Sequence, residues 1–162
     1  MATDLYSLPH KALRAAMATA GAALGAQRSD AVDLAVQVIA DLAAHGEHED
    51  ELIHPILHRH LPDVAVDLDR QHRDLEDLLA VTTRALLTDD AYRAFQRLVA
   101  WNLRHLDHEE TVVLPALWRA VPEEELAGVL ASFRAAHPDA GAIYARWPTH
   151  LSDAERSLVG LS

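Results

Sequence analysis

The chain has 162 residues, no cysteine and a formal net charge of −11, with a single lysine, Lys11, among its 14 basic residues. That length fits one domain able to bury about two-thirds of its unfolded surface, and the missing thiols exclude disulfides, thiolate zinc sites and cysteine nucleophiles. The acidic balance, with no basic stripe, argues against nucleic acid as a partner.

The opening "MATDLYSLPHKAL" carries Asp4 and no long apolar run, so it is not expected to act as a secretory signal. No stretch reaches the roughly 18 apolar residues needed to cross a bilayer. The expectation is a cytoplasmic protein without membrane contact. Apolar residues then recur at three and four over Leu13–Leu24, Ala31–His45, Asp74–Leu87 and Ala91–Leu106, the pattern of amphipathic helices. Ser29, Asp63 after Pro62, and Thr88 supply helix-start chemistry for the second, third and fourth. With no strand alternation and short connections, residues 1–121 are predicted to form an all-α, antiparallel up-down four-helix bundle. Residues 122–162 read as a C-terminal helical extension packed on the bundle, or as a surface for a protein partner or substrate. It comprises a fifth helix over Glu123–Ala136 and a capping box, "SDAE" (Ser152–Glu155), before a final turn or two.

Eleven histidines are the compositional oddity, and they are not scattered. "HGEHEDELIHP" (His45–Pro55) recurs as "HLDHEETVVLP" (His105–Pro115) at an offset of 60, which lays His45 on His105, His48 on His108, Glu49 on Glu109 and Pro55 on Pro115. An offset of 62 lays "HKAL" (His10–Leu13) on "HRDL" (His72–Leu75). The chain therefore reads as two helix pairs of one pattern, a histidine followed by His-x-x-x-Glu.

Helix rise tests whether these residues can meet. His10 to Leu24 and Ser29 to His45 are both roughly 21–24 Å of helix, so an antiparallel pair brings the two histidines to one depth. The same holds for His72 and His105. Residues i and i+4 share a face, so His45 can look inward with Glu49 and His105 with Glu109. His48 and His108 fall off that face. His54 and His58 fall on the opposite face of the second helix and are expected in solvent, and Pro55 marks where that helix should kink or end. Tyr6, one turn before His10, could share its face. Glu110 is an alternative to Glu109. Phe95 and Trp101 are expected in the core, and His137 and His150 at the surface.

Imidazoles suit iron, zinc, copper and nickel, and carboxylates can bridge two ions. Four histidines and two glutamates exceed what one tetrahedral zinc needs and suit a two-metal centre. Ferritin-type di-iron bundles use Glu-x-x-His and more acids. The order here is reversed, and fewer anionic donors leave positive charge and room for a small ligand.

The arrangement His, His-x-x-x-Glu, His, His-x-x-x-Glu on four helices resembles the hemerythrin-like family, the HHE cation-binding domain, over about residues 5–120. That resemblance implies two iron ions (Fe2+/Fe3+), bridged by carboxylate and by oxo or hydroxo, on His10, His45, Glu49, His72, His105 and Glu109, with the two glutamates bridging. It also implies a protein that binds or senses O2, NO or peroxide, or alternatively an enzyme that activates O2 or dismutates peroxide. The oxygen-carrying members have a further histidine one turn after His72, where this chain has Glu76. Glu76 is thus a candidate ligand that would favour the ferric state and weigh against oxygen carriage.

Overall fold

A computed structural model describes residues 2–137, 143, 146–147 and 151–158, and His150 lies outside them. The described elements are α1 (Ser7–Gly25), α2 (Ala31–Leu52), α3 (His54–His60), α4 (Pro62–Ala85), α5 (Ala91–His108), a π-helical turn (Glu109–Val113), α6 (Leu114–Ala120), α7 (Glu123–Ala136) and α8 (Asp153–Leu158). No strand occurs among the described residues. Helix α1 packs on α2, α2 on α4, α4 on α5 and α5 back on α1, which closes the predicted four-helix bundle.

The helix starts differ by a residue or two from the sequence reading. Helix α2 begins after Asp30, α4 already at Pro62, and α5 after Asp90, where the backbone N–H of Asp90 donates to Thr88 Oγ1 at 3.2 Å. Pro62 suits the first helical position because it has no N–H to leave unpaired. Helix α1 ends in a Schellman pair, with the N–H of Arg28 on the Ala23 carbonyl and that of Gln27 on Leu24, both at 3.1 Å. Gln27 takes the left-handed conformation there, at φ 52°.

The two prolines of the repeat are handled differently. Before Pro55 the helix breaks at Ile53, and α3 starts afresh at His54. Before Pro115 the chain widens instead, and the N–H of Leu114 reaches back five residues to the Glu109 carbonyl. A proline inside an α-helix lacks its own N–H and crowds the carbonyl four residues back. A π-turn is one way to absorb that, and such turns gather at functional sites.

The apolar core falls into two clusters. One holds Leu13, Met17, Leu42, Leu75, Phe95 and Leu98, with Trp101 partly buried against it; the other holds Tyr6, Ile56, Leu57, Leu68, Leu117 and Leu126. On each bundle helix the histidines and glutamates of the repeat lie where one cluster gives way to the other. Helix α7 adds Leu126 to the second cluster, and Trp147 enters the first, its indole donating to the buried Asp41 at 2.8 Å while Arg146 pairs with the same carboxylate at 2.5 Å. The capping box forms as read, with Ser152 N–H on Glu155 Oε2 at 2.8 Å, and Glu155 also pairs with Lys11.

Trp147→Phe keeps the apolar body of the side chain and deletes its donor to Asp41. A loss of about 1–3 kcal/mol is expected in urea denaturation, the range for a buried acceptor losing one partner. No loss would mean that Trp147 does not anchor the segment.

Candidate metal centre

Six side chains from four helices meet in the layer between the clusters. His10 is fully buried, and Glu49, His72, His105 and Glu109 are each at most 5 % exposed, with His45 half-buried. His45 Nε2 stands 3.1 Å from both His10 Nε2 and Glu49 Oε1, and Glu109 Oε2 is 3.4 Å from His10 Nε2. On the other side, His72 Nε2 is 3.5 Å from Glu49 Oε2, while Glu109 Oε1 is 3.3 Å from His105 Nε2 and 3.9 Å from His72 Nε2. Each glutamate thus turns one oxygen to each histidine pair. Two four-donor groups result, His10–His45–Glu49–Glu109 and His72–His105–Glu49–Glu109, each with its ligand atoms within 4.8 Å of one another.

None of the four carboxylate oxygens has an aligned hydrogen-bond donor, although all four are buried. A buried carboxylate without donors costs several kcal/mol. On each side these oxygens lie beside imidazole nitrogens of the same group, all within 4.8 Å of one another. That combination fits a cation on each side, with Glu49 and Glu109 as bridges.

Two of the rings are anchored on their outer face. His10 Nδ1 meets Glu110 Oε1 at 2.9 Å, itself paired with Arg14 at 2.6 Å, and His105 Nδ1 meets Gln71 Oε1 at 3.0 Å. His72 Nδ1 lies 2.8 Å from Asp50 Oδ1, out of line for a hydrogen bond. Partners on Nδ1 fix the tautomer and leave Nε2 free to ligate. Glu110 therefore backs His10 and does not replace Glu109.

The electrostatics follow from this crowding. Burial works against a charged His10, but the bond to Glu110 and the nearby Glu49 and Glu109 overcome it and raise its pKa from 6.5 to about 9. His72 is likewise opposed by burial and raised to about 9 by Glu109, Glu49 and Asp50. His105 drops to about 3, through burial and then the neighbouring imidazoles, which outweigh Glu49. Glu49 resists burial and is held well below the carboxylate range by His45 and His10, whereas Glu109 is pushed up by burial and by the charge of Glu49. The phenol of Tyr6 is pushed up by burial, Glu109 and Glu49, and its ring lies 5.4 Å from that of His10.

Glu76 is exposed and belongs to neither donor group. The buried stripe of α4 runs Ala65, Leu68, His72, Leu75, Leu79, Thr82, so the inward step after His72 is three residues. After His45 and His105 the inward step is four, which is why Glu49 and Glu109 arrive and Glu76 does not. His54, expected in solvent, is buried at 4 % exposure. The break at Ile53 resets the helical phase, so the face assignment carried over from α2 no longer applies. His58 is exposed as expected; His48 packs on Phe133 and His137 instead of facing the centre, and His108 sits 3.7 Å from Asp67. Asp69 and Gln71, which lie beside the histidines, fall outside the repeat and carried no sequence signal, whereas Asp50 falls inside it, on Glu110 at the offset of 60, and was passed over.

Fold and site together define a helical bundle with buried His/carboxylate groups that could hold a metal ion. The chain belongs to the hemerythrin family, matching the hemerythrin HHE cation binding domain over residues 1–117 and again over 63–159. No curated protein and no solved structure matches it. No helix described is long and apolar enough to cross a membrane.

Metal ligation requires neutral imidazoles. At pH 8 the metal-free protein holds protons on His10 and His72, both near pKa 9, so loading should release close to two protons from them. Calorimetry in buffers of different ionisation enthalpy reads that number. In the metal-free state the same two groups, raised above 6.5, stabilise the fold fully below that pH and lose the contribution as pH passes about 9. Release near zero at pH 8 would refute the assignment of these protons.

Proposed function

We propose that the chain is a non-heme di-iron protein that binds, and by binding senses, O2, NO or peroxide. The observation that carries this reading is the pair of two-imidazole groups sharing both carboxylates. Four donors would saturate a tetrahedral zinc, whereas an octahedral iron keeps open positions. Bound there, two irons supply reversible one-electron redox chemistry and Lewis acidity at those positions. The chain's own residues set the conditions. Glu49 and Glu109 together neutralise only part of the charge of two divalent ions, which favours a small anionic or diatomic ligand. The flanking apolar clusters keep bulk water out.

Ligand size also favours this reading. On the Nδ1 side of His72 a pocket of about 60 Å³ between α2 and α4, lined by Leu42, Gly46, Asp50, Leu75, Glu76 and Leu79, gives a small molecule an approach toward the donor layer. Organic substrates take pockets of roughly 300–1,000 Å³. A second reading, a di-iron oxidase or oxygenase, draws on the cleft of about 290 Å³ outside His72, lined by His54, His58 and Asp69. Peroxide dismutation needs no such cleft.

Aerobically purified protein is expected to carry two irons per chain, with the near-UV absorption of a bridged ferric pair that dithionite bleaches. A transient visible band on re-aeration supports O2 binding; immediate return of the ferric spectrum supports redox or peroxide chemistry; iron well below two per chain overturns the proposal. Gly46 offers a second test, since a Cβ built there meets only His72 Nδ1, at 3.9 Å. Gly46→Leu should plug the small pocket and slow azide binding to the loaded protein about tenfold or more, with iron content unchanged. An unchanged rate would mean ligands enter elsewhere.

A further inference from the structure

Outside the donor set, a chain of acids and imidazoles runs from His72 to the surface. Asp50 Oδ1 lies 2.8 Å from His72 Nδ1 and 3.1 Å from His54 Nδ1. His54 Nδ1 also meets Asp69 Oδ1 at 2.9 Å, and Asp69 Oδ2 meets His58 Nε2 at 3.0 Å, where the chain reaches solvent. The His54 ring packs on that of His72, with centroids 4.5 Å apart. We infer that Asp50, His54 and Asp69 are positioning residues for His72, and so for one metal position of the two. The inference rests on the two-cation reading above.

The argument begins with the donor that ligation creates. When Nε2 of His72 binds a cation, its ring proton must sit on Nδ1, and a buried N–H without an acceptor costs about 1–3 kcal/mol. Asp50 is the acceptor within reach, and a small turn of its exposed side chain brings it into line. On its own, such a side chain would be a poor anchor. His54 limits its movement: with Nδ1 hydrogen-bonded to Asp69 and its ring packed on His72, the imidazole is fixed beside the Asp50 carboxylate and blocks part of its swing into water. The other half of the centre is backed by different groups, Glu110 with Arg14 behind His10, while within the His72 half Gln71 backs only His105. Losing the Asp50 network should therefore weaken one position and spare the other.

Cobalt(II) titration of the metal-free protein, followed by d–d absorption, resolves the two positions. Wild-type protein should take two equivalents. In Asp50→Ala and His54→Phe, one equivalent should bind as in wild type and the other ~10- to 100-fold more weakly, the range for losing an outer partner of a ligating histidine. Asp50→Asn, which keeps an acceptor, should restore most of the second step. Glu110→Ala should leave the position that fails in Asp50→Ala intact. Far-UV circular dichroism and Tm check that each variant folds; His54→Phe keeps a ring packed on His72 should Asp50→Ala not fold. Equal weakening of both steps, or two unchanged steps, overturns the inference while leaving the two-cation site standing. Wild-type uptake of fewer than two cobalts overturns the two-cation reading itself.

Discussion

Two glutamates, Glu49 and Glu109, lie buried against each other in the middle of a helical bundle, and the rest of the structure is organised around that arrangement. Their four oxygens have no aligned donor, and the charge on one raises the pKa of the other. A bundle selected only for stability would put leucines there, because removing an unpaired charge from water costs more than packing returns. The cost is tolerable only with compensating cations, and the imidazoles decide which. Protons on His10 and His72 fill that role in the metal-free chain, and metal ions take it over when bound. Folding and metal binding are thus coupled through the same two carboxylates.

The two core clusters follow from this constraint. A polar layer that must stay dry needs apolar packing above and below it, and each helix supplies both before and after its histidine. Each helix also has to deliver its donors at the same depth. The matched lengths from turn to histidine achieve that in both pairs, and the π-turn at Glu109 lets α5 continue toward Pro115 without shifting the glutamate out of the layer. Helix α2 solves the same problem by stopping, and the restart at His54 creates the Asp50–His54–Asp69 network, which has no counterpart behind His105.

The sequence carried the bundle and the inner donors because both depend on helical periodicity, which is a local property. Position 45 with 49, and 105 with 109, can be read from spacing alone, and the depth of His10 and His72 from rise per residue. Glu76 shows the limit of that logic: sharing a face with i+4 does not say whether the buried stripe steps by three or four at that point, and neighbouring Leu75 settles it toward three. His54 shows another limit, since one break in a helix re-aims everything after it. Asp69 and Gln71 meet the histidines through contacts between helices that no spacing rule encodes; the repeat aligns Asp50 with Glu110, but spacing does not say which ring each acid meets. The anchorage of Trp147 on Asp41 joins residues more than a hundred positions apart and was equally invisible.

Lys11 follows His10 directly and pairs with Glu155 of α8, so the chain's single ε-amine links the metal layer to the far end of the described sequence. Amine-directed chemistry has one side-chain target on this protein. An acyl or cross-linking reagent reacting at Lys11 would report whether α8 is seated, and it would do so from one residue away from the centre. The same position means that acylating this amine, by any agent, removes the charge that α8 closes on while leaving every metal donor chemically intact.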